Sequence, residues 1–270
     1  MMKNTIAKYL VENKQIRIYI LSGKQIYRDT QDLDINDYEK SLFRKALNIT
    51  ALSNAINPGT QRLTYTFLSK KRTSKITTES FSNNTITGII DLKESEPCFK
   101  GGTLQTISAL NSKYGSSHTS YSVLDYSDLY KNIEQYYCNS EQIPTYLLPL
   151  SDEYSSENVV LLVQSLPFTE KKTMTKVWKQ INYIKKDLKY ATAKIVSEKL
   201  SDVLLDWKYL ESVNVEFSCG CSKEMFLGLI FSLSSEELNN IVSKNEKLSA
   251  SCSLCGKKYE FSADDISNYL

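Results

Sequence analysis

The sequence predicts an α+β chain: an N-terminal mixed α/β domain, a helical linker, and a small C-terminal zinc-binding domain with four cysteine ligands. Three observations predict it. Short alternating apolar runs are interleaved with helical stripes as far as Pro167. From Phe168 to Cys219 there is neither glycine nor proline. Four of the six cysteines then fall in two close pairs. The expected divisions of the 270 residues are 1–168, 169–212 and 213–270.

Taken in order, Gln15–Leu21 (QIRIYIL) alternates as a strand does, and Gly23 follows as a turn. Tyr38–Ile56 places Leu42, Ala46, Ile49 and Leu52 on one helical stripe and stops at Asn57-Pro58-Gly59. Arg62–Leu68 and Thr85–Leu92 are strand candidates, and Gly101-Gly102 turns the chain into another. Asp128–Cys138 reads as a helix and Val159–Gln164 as a buried strand. Beyond Pro167, Met174, Val177, Ile181, Ile184 and Leu188 form a second helical stripe. Ile195, Leu200, Val203, Leu204 and Trp207 continue a further helical pattern among many lysines. Two readings of this segment stay open, a packed helical hairpin and a linker able to unfold. In the last block, Val213, Val215 and Phe217 alternate toward the first cysteine pair. Ser222–Phe231 reads as a short helix, and Ser234-Ser235-Glu236-Glu237 offers a capping box for another through Val242. Lys257–Phe261 is a strand candidate, and Ser262–Asp265 caps a final short helix.

Composition narrows the function. A formal net charge of +2 is too balanced to indicate nucleic acid or a membrane surface. Glu12, Lys14 and Arg17 break any secretory pattern near the start. The longest apolar runs, Val159–Val163 and Phe226–Phe231, fall far short of the roughly 20 residues that span a bilayer. A cytoplasmic location is therefore expected, where thiols stay reduced and clustered cysteines bind metal or do redox work. The single histidine, His118, sits in a serine-rich stretch and reads as a surface residue. It leaves no room for a two-histidine zinc motif, and nothing around it marks a Ser/His/Asp triad. There is no Walker-type phosphate loop, and no enzyme is expected. Cys98 and Cys138 stand alone and read as half-buried small residues.

Cys219-Gly220-Cys221 and Cys252-Ser253-Leu254-Cys255 together have the arrangement of a tetrahedral four-thiolate zinc site. The one-residue spacer of the first pair puts both sulfurs on one side of an extended chain, and Gly220 lets that chain bend. Zinc is needed because so short a block buries too little apolar surface to be secure alone. Structural zinc contributes about 10–16 kcal/mol of apparent binding free energy to such a fold. Redox chemistry follows from distances. Sulfurs about 2.3 Å from a common metal lie roughly 3.7 Å apart. A disulfide needs about 2.05 Å, so pairing two ligands ejects the metal. The block would then melt and expose Phe226, Leu227, Leu229, Ile230 and Phe231.

The run Phe217-Ser218-Cys219-Gly220-Cys221-Ser222-Lys223-Glu224 carries a Cys-x-Cys-Ser-basic-Glu pattern. Glu237-Leu238, Ile241, the second cysteine pair, Tyr259 and Phe261 follow it at matching spacing. This tail resembles the redox-regulated 33 kDa chaperonin family of bacterial heat-shock chaperones. Ser140-Glu141-Gln142-Ile143-Pro144 is similar to that family's Ser-Glu-Gln-x-Pro motif, and Gln15–Tyr19 to its first strand. Residues 70–92, glycine-rich in the family, are here mostly Lys, Thr, Ser and Asn.

The resemblance implies one zinc per chain in the reduced form, held by Cys219, Cys221, Cys252 and Cys255. It implies disulfides Cys219–Cys221 and Cys252–Cys255 on oxidation. It also implies a linker after Pro167 that unfolds and helps bind clients, ATP-independent holding of unfolded proteins, and a homodimer when oxidised. Two other readings compete. One is a structural zinc-ribbon-like module that binds a protein or nucleic-acid partner without redox switching. A ribbon, however, has two Cys-x-x-Cys knuckles about 15–20 residues apart. The other is a thiol oxidoreductase using Cys252 and Cys255, which needs a helix start at the pair where Gly256-Lys257-Lys258 leads into a strand.

Overall fold

The computed structural model describes residues 3–57, 60–94, 97–110, 116–150, 155–218, 221–244, 246–252 and 257–267. The chain forms two compact units, Met1–Phe217 and Ser218–Leu270.

The first unit is mixed α/β and built on one large sheet. Its strands are β1 (Asn4–Val11), β2 (Ile16–Ser22), β3 (Thr60–Leu68), β4 (Lys75–Phe81), β5 (Thr85–Asp91), β6 (Thr103–Leu110), β7 (Ser117–Val123), β8 (Thr145–Pro149), β9 (Val159–Ser165) and β10 (Lys208–Phe217). Their spatial order is β7-β6-β3-β4-β5-β10-β1-β2-β9-β8. The two halves meet at a short parallel join, where Glu216 and Phe217 of β10 oppose Thr85 and Ile86 of β5. All other neighbours are antiparallel.

Period-two alternation explains why both faces of the central strands are covered. On β2, Ile16, Ile18 and Ile20 point to one face, while Tyr19 and Leu21 point to the other. On β9, Val159, Leu161 and Val163 share the first face, and Val160 and Leu162 the second. One face packs against α1 (Lys24–Gln31), α2 (Asp37–Ile56) and α3 (Leu129–Asn139). The other packs against α4 (Lys171–Ile184) and α5 (Ala193–Val203), which a 3-10 turn over Lys185–Leu188 joins. Met174, Val177, Ile181, Ile184 and Leu188 are all buried there, as their spacing predicts.

Helix α2 starts where its capping box begins: the Asn36 side chain accepts the Glu39 N–H, and the Glu39 carboxylate accepts the Asn36 N–H. The glycines at 101 and 102 make the expected turn. Gly101 has a φ of +80°. A Cβ on Gly102 would collide with the Leu68 carbonyl oxygen.

Three expectations need correction. The second helical pattern does not reach Trp207. Helix α5 ends at Val203, and Leu204 is already extended. Leu204 still fills the core, and Trp207 instead stacks on Tyr9 of β1, with ring centroids 4.4 Å apart. Ile195 is exposed, because the buried stripe of α5 runs through Val196 and Leu200. Cys98 and Cys138 are exposed rather than half-buried. Cys138 follows Tyr137, the last inward position of α3, and the Cys98 thiol donates to the Lys100 carbonyl, 3.4 Å away. His118 is exposed on β7, as expected.

Candidate cysteine site of the C-terminal unit

The second unit is built from α6 (Lys223–Ile230), α7 (Ser235–Ser243), the hairpin of β11 (Leu248–Ser251) and β12 (Lys258–Phe261), and α8 (Ala263–Ser267). Each described start is capped by a serine. The Ser222 hydroxyl accepts the Met225 N–H at 3.2 Å. Ser234 and Glu237 form a full capping box. Ser262 and Asp265 bond reciprocally at the start of α8: the Ser262 N–H donates to the Asp265 carboxylate at 2.8 Å and the Asp265 N–H to the Ser262 hydroxyl at 3.2 Å.

These elements enclose one small core of Phe226, Leu227, Ile230, Leu238, Cys252, Tyr259, Phe261 and Ile266. Cys252 is 4 % exposed within it, and Cys221 is half-buried against it. So two of the four predicted ligands come together on one core although 30 residues separate them in sequence. Cys219 and Cys255 lie outside the described residues. Among the described residues, no group of three or more His, Cys, Asp or Glu side chains is gathered.

Local bonds hold both residues. The Cys252 N–H donates to the Lys257 carbonyl at 2.9 Å, which extends the β11–β12 ladder by one step and pins Cys252 at the mouth of the hairpin. On the other side, the Tyr259 hydroxyl donates to the Cys221 carbonyl at 2.9 Å and lies 3.1 Å from the Cys221 sulfur. Tyr259 is itself held against Phe226, with ring centroids 5.1 Å apart. The sequence named Tyr259 only as part of a pattern; that its hydroxyl bridges to the first cysteine pair is visible only in three dimensions.

Cations gather at the same core. Lys257 Nζ lies 5.1 Å from the Tyr259 ring centroid, and Lys223 Nζ lies 5.4 Å from that of Phe261. Lys223 also pairs with Asp265 at 2.9 Å. The Ser262 backbone N–H and Lys223 together hold the Asp265 carboxyl down at about 2. A soft sulfur pair set on one core fits zinc better than a hard, oxygen-preferring cation.

A ten-stranded sheet with helices on both faces is followed in the chain by a small cysteine-bearing unit. The crystal structure of the 33 kDa chaperonin (heat shock protein 33 homolog) of Thermotoga maritima superposes with a TM-score of 0.72, covering 99 % of this chain and 97 % of that one at 17 % identity, which shows the shared fold. Among curated relatives, the 33 kDa chaperonin of Geobacillus sp. (strain WCH70) is 27 % identical over 147 residues. That stretch is 52 % of this chain and spans about half the length of the relative, 50 %. The 33 kDa chaperonin of Staphylococcus aureus (strain Newman) is 23 % identical over 286 aligned positions, 98 % of this chain and 97 % of the relative. The family described as Hsp33 protein matches residues 4–262, and the chain belongs to that family. The names of these relatives are those of chaperones and not of enzymes.

Proposed function

We propose that this chain is an oxidation-activated, ATP-independent holdase for unfolded proteins. In the reduced form Cys219, Cys221, Cys252 and Cys255 hold one zinc. The observation that carries the reading is the meeting of Cys221 and Cys252 on a single small core in a chain of the Hsp33 family. When bound, zinc supplies a tetrahedral anchor that ties the hairpin to the start of α6.

An oxidant such as peroxide takes two electrons from each cysteine pair. Cys219 then bonds Cys221, Cys252 bonds Cys255, and two protons leave per disulfide if the thiols are counted neutral. The sulfurs can no longer serve as thiolate ligands. The core of the C-terminal unit loses its anchor, and Phe226, Leu227, Ile230 and Phe261 become available to water or to clients. In this division of labour, residues 213–270 sense the oxidant, 169–212 release, and 1–168 hold the client.

Packing supports the middle role. The residues of α4 and α5 cover an apolar sheet face made by Val11, Ile16, Ile18, Ile20, Leu161 and Val163. Burying each such side chain contributes about 1.5–3 kcal/mol. Ordering a residue costs about 1–2 kcal/mol of backbone entropy, which offsets part of that gain. Its release uncovers a continuous apolar strip. Oxidised chains presenting such strips are expected to pair as homodimers, and a reducing cytoplasm sets the resting state.

Zinc content and client light scattering, measured on one sample before and after peroxide at mildly elevated temperature, test this. The expected result is about one zinc per reduced chain, lost as aggregation suppression appears. Cys252→Ser should leave the reduced chain without tight zinc. Zinc kept through oxidation, or lost without gain of holding activity, overturns the proposal in favour of a static zinc module for partner binding.

A further inference from the structure

The large sheet ends in two edge strands, β7 and β8, and the two are finished differently. Strand β8 has five residues, is mostly buried and stops at Pro149. Its Tyr146 is stacked on Trp178 of α4, with ring centroids 4.2 Å apart. A short, covered strand closed by proline is a common means of keeping a sheet edge from pairing with another chain.

Strand β7 has none of these devices. Its seven residues include no proline, glycine, lysine, arginine or acid. It pairs with β6 in unbroken register, from Ser117 opposite Ala109 to Val123 opposite Thr103, so no bulge twists it away. Side chains alternate along a strand, which puts Thr119, Tyr121 and Val123 on one face. All three are exposed, Tyr121 at 66 % and Val123 at 63 %. Gln105 Nε2 donates to the Tyr121 hydroxyl at 3.0 Å and holds that ring beside β6. An antiparallel strand turns alternate N–H and C=O groups to its two sides. With β6 on one side and no strand of the described residues on the other, the outward set of β7 is open to a further strand.

The chemistry of that edge chooses its occupant. Donors and acceptors at strand spacing are matched by another extended backbone, and main-chain pairing tolerates many sequences. An uncharged edge beside Tyr121 and Val123 favours an uncharged segment with β-branched or aromatic side chains. Unfolded chains expose segments of that kind, and they are the ones that aggregate. Seven residues make an edge roughly 24 Å long and about 10 Å deep, or roughly 500 Å² buried on both partners together. A specific complex of two folded copies needs about 1,000 Å² or more. So small and sequence-tolerant a contact suits a weakly held unfolded segment better than a second folded copy. We propose that β7 is a docking edge for extended, uncharged segments of unfolded polypeptide, which add to the sheet as a further strand. As a place where clients are held, the edge rests on the function proposed above.

Amide hydrogen exchange of the reduced full chain tests the edge without reference to holding activity. The probe is a peptide of alternating threonine and valine, about as long as β7, with a lysine at one end and a glutamate at the other. At millimolar peptide, exchange across 117–123 should slow by about threefold or more, while β8 is unchanged. A twin N-methylated at every threonine and valine keeps the side chains and loses the main-chain donors. It should bind at least about tenfold more weakly. In the Thr119→Lys/Tyr121→Lys chain, two charges beside the edge should abolish the protection. No protection of β7, or equal protection by the methylated twin, overturns the edge. Protection that rises with protein concentration in the absence of peptide makes a second copy the occupant and also overturns it. Holding activity gained on peroxide in a chain that fails this test leaves the redox reading standing. Protection of β7 in a chain that gains no such activity keeps the edge and removes the holdase reading.

Discussion

At the scale of single residues, two positions carry more structural weight than their side-chain size indicates. Gly102 has no room for a Cβ: the Leu68 carbonyl blocks it, and the Phe99 carbonyl oxygen would lie 2.9 Å away. Both neighbours are backbone, so neither can swing aside. Gly102→Ala should destabilise the first unit by about 2–4 kcal/mol, read as a lower urea midpoint with an unchanged slope. Tyr259 is the second. Its hydroxyl ties β12 to the Cys221 backbone, while its ring packs on Phe226. Tyr259→Phe keeps the ring and deletes the hydroxyl's contacts with the Cys221 carbonyl and sulfur, so the C-terminal unit should lose about 1 kcal/mol. The glycine turn was legible in the sequence. The tyrosine bridge was not, because nothing in a linear pattern marks which hydroxyl meets a carbonyl 38 residues away.

At the scale of elements, the starts of the C-terminal helices depend on carboxylates. Glu237 lies below its ordinary range through the Ser234 side chain and N–H, and Glu224 through its own backbone N–H and then Ser222. Asp265, anchored first by the Ser262 N–H, falls from 3.8 to about 2. A carboxyl whose value is depressed on folding stabilises the fold above its unfolded value and loses that contribution as pH falls through the folded one. The cap of α8 should therefore weaken between about pH 4 and pH 2, that of α7 as pH falls below the usual glutamate range, and both should be indifferent to pH from 6 to 8. Circular dichroism of the reduced chain across pH 2–8 checks this; loss of helix at pH 6 would contradict it.

The elements most readable in advance were those with strong periodicity or caps: α2, α4, α7 and β9. Strands β1, β4, β7 and β8 and helix α1 escaped notice for physical reasons. In β1, Lys8 occupies an inward position and is buried against Glu211 at 2.8 Å, which breaks the apolar alternation. Strand β7 is polar but for Tyr121 and Val123 and lies at the edge of the sheet. Helix α1 buries just Ile26 and Thr30.

At the scale of the whole molecule, the two units differ in what holds them. The first has two extensive cores on opposite faces of a ten-stranded sheet, whereas among the described residues of Ser218–Leu270 there is one core of eight buried side chains. So small a core would have little margin without the zinc proposed above. A zinc chelator under reducing conditions should raise amide exchange across 218–270 while protection in β3 and β6, which α4 and α5 do not cover, is unchanged. Uniform deprotection of both units would show that they do not unfold separately.

The sequence by itself determined the α+β class, the helical character after Pro167, the placement of most helix starts, and the spacing of the four cysteines. These are local matters, set by periodicity, capping chemistry and chain spacing over a few residues. Only the tertiary structure decided that α4 and α5 cover a sheet face, that Trp207 leaves the helical pattern to stack on Tyr9, and that Cys221 and Cys252 share one core. It also decided that β7 lies at an open edge of the sheet. Each depends on long-range pairing, in which strand register and buried area outweigh local preference, and no short stretch of sequence contains both partners.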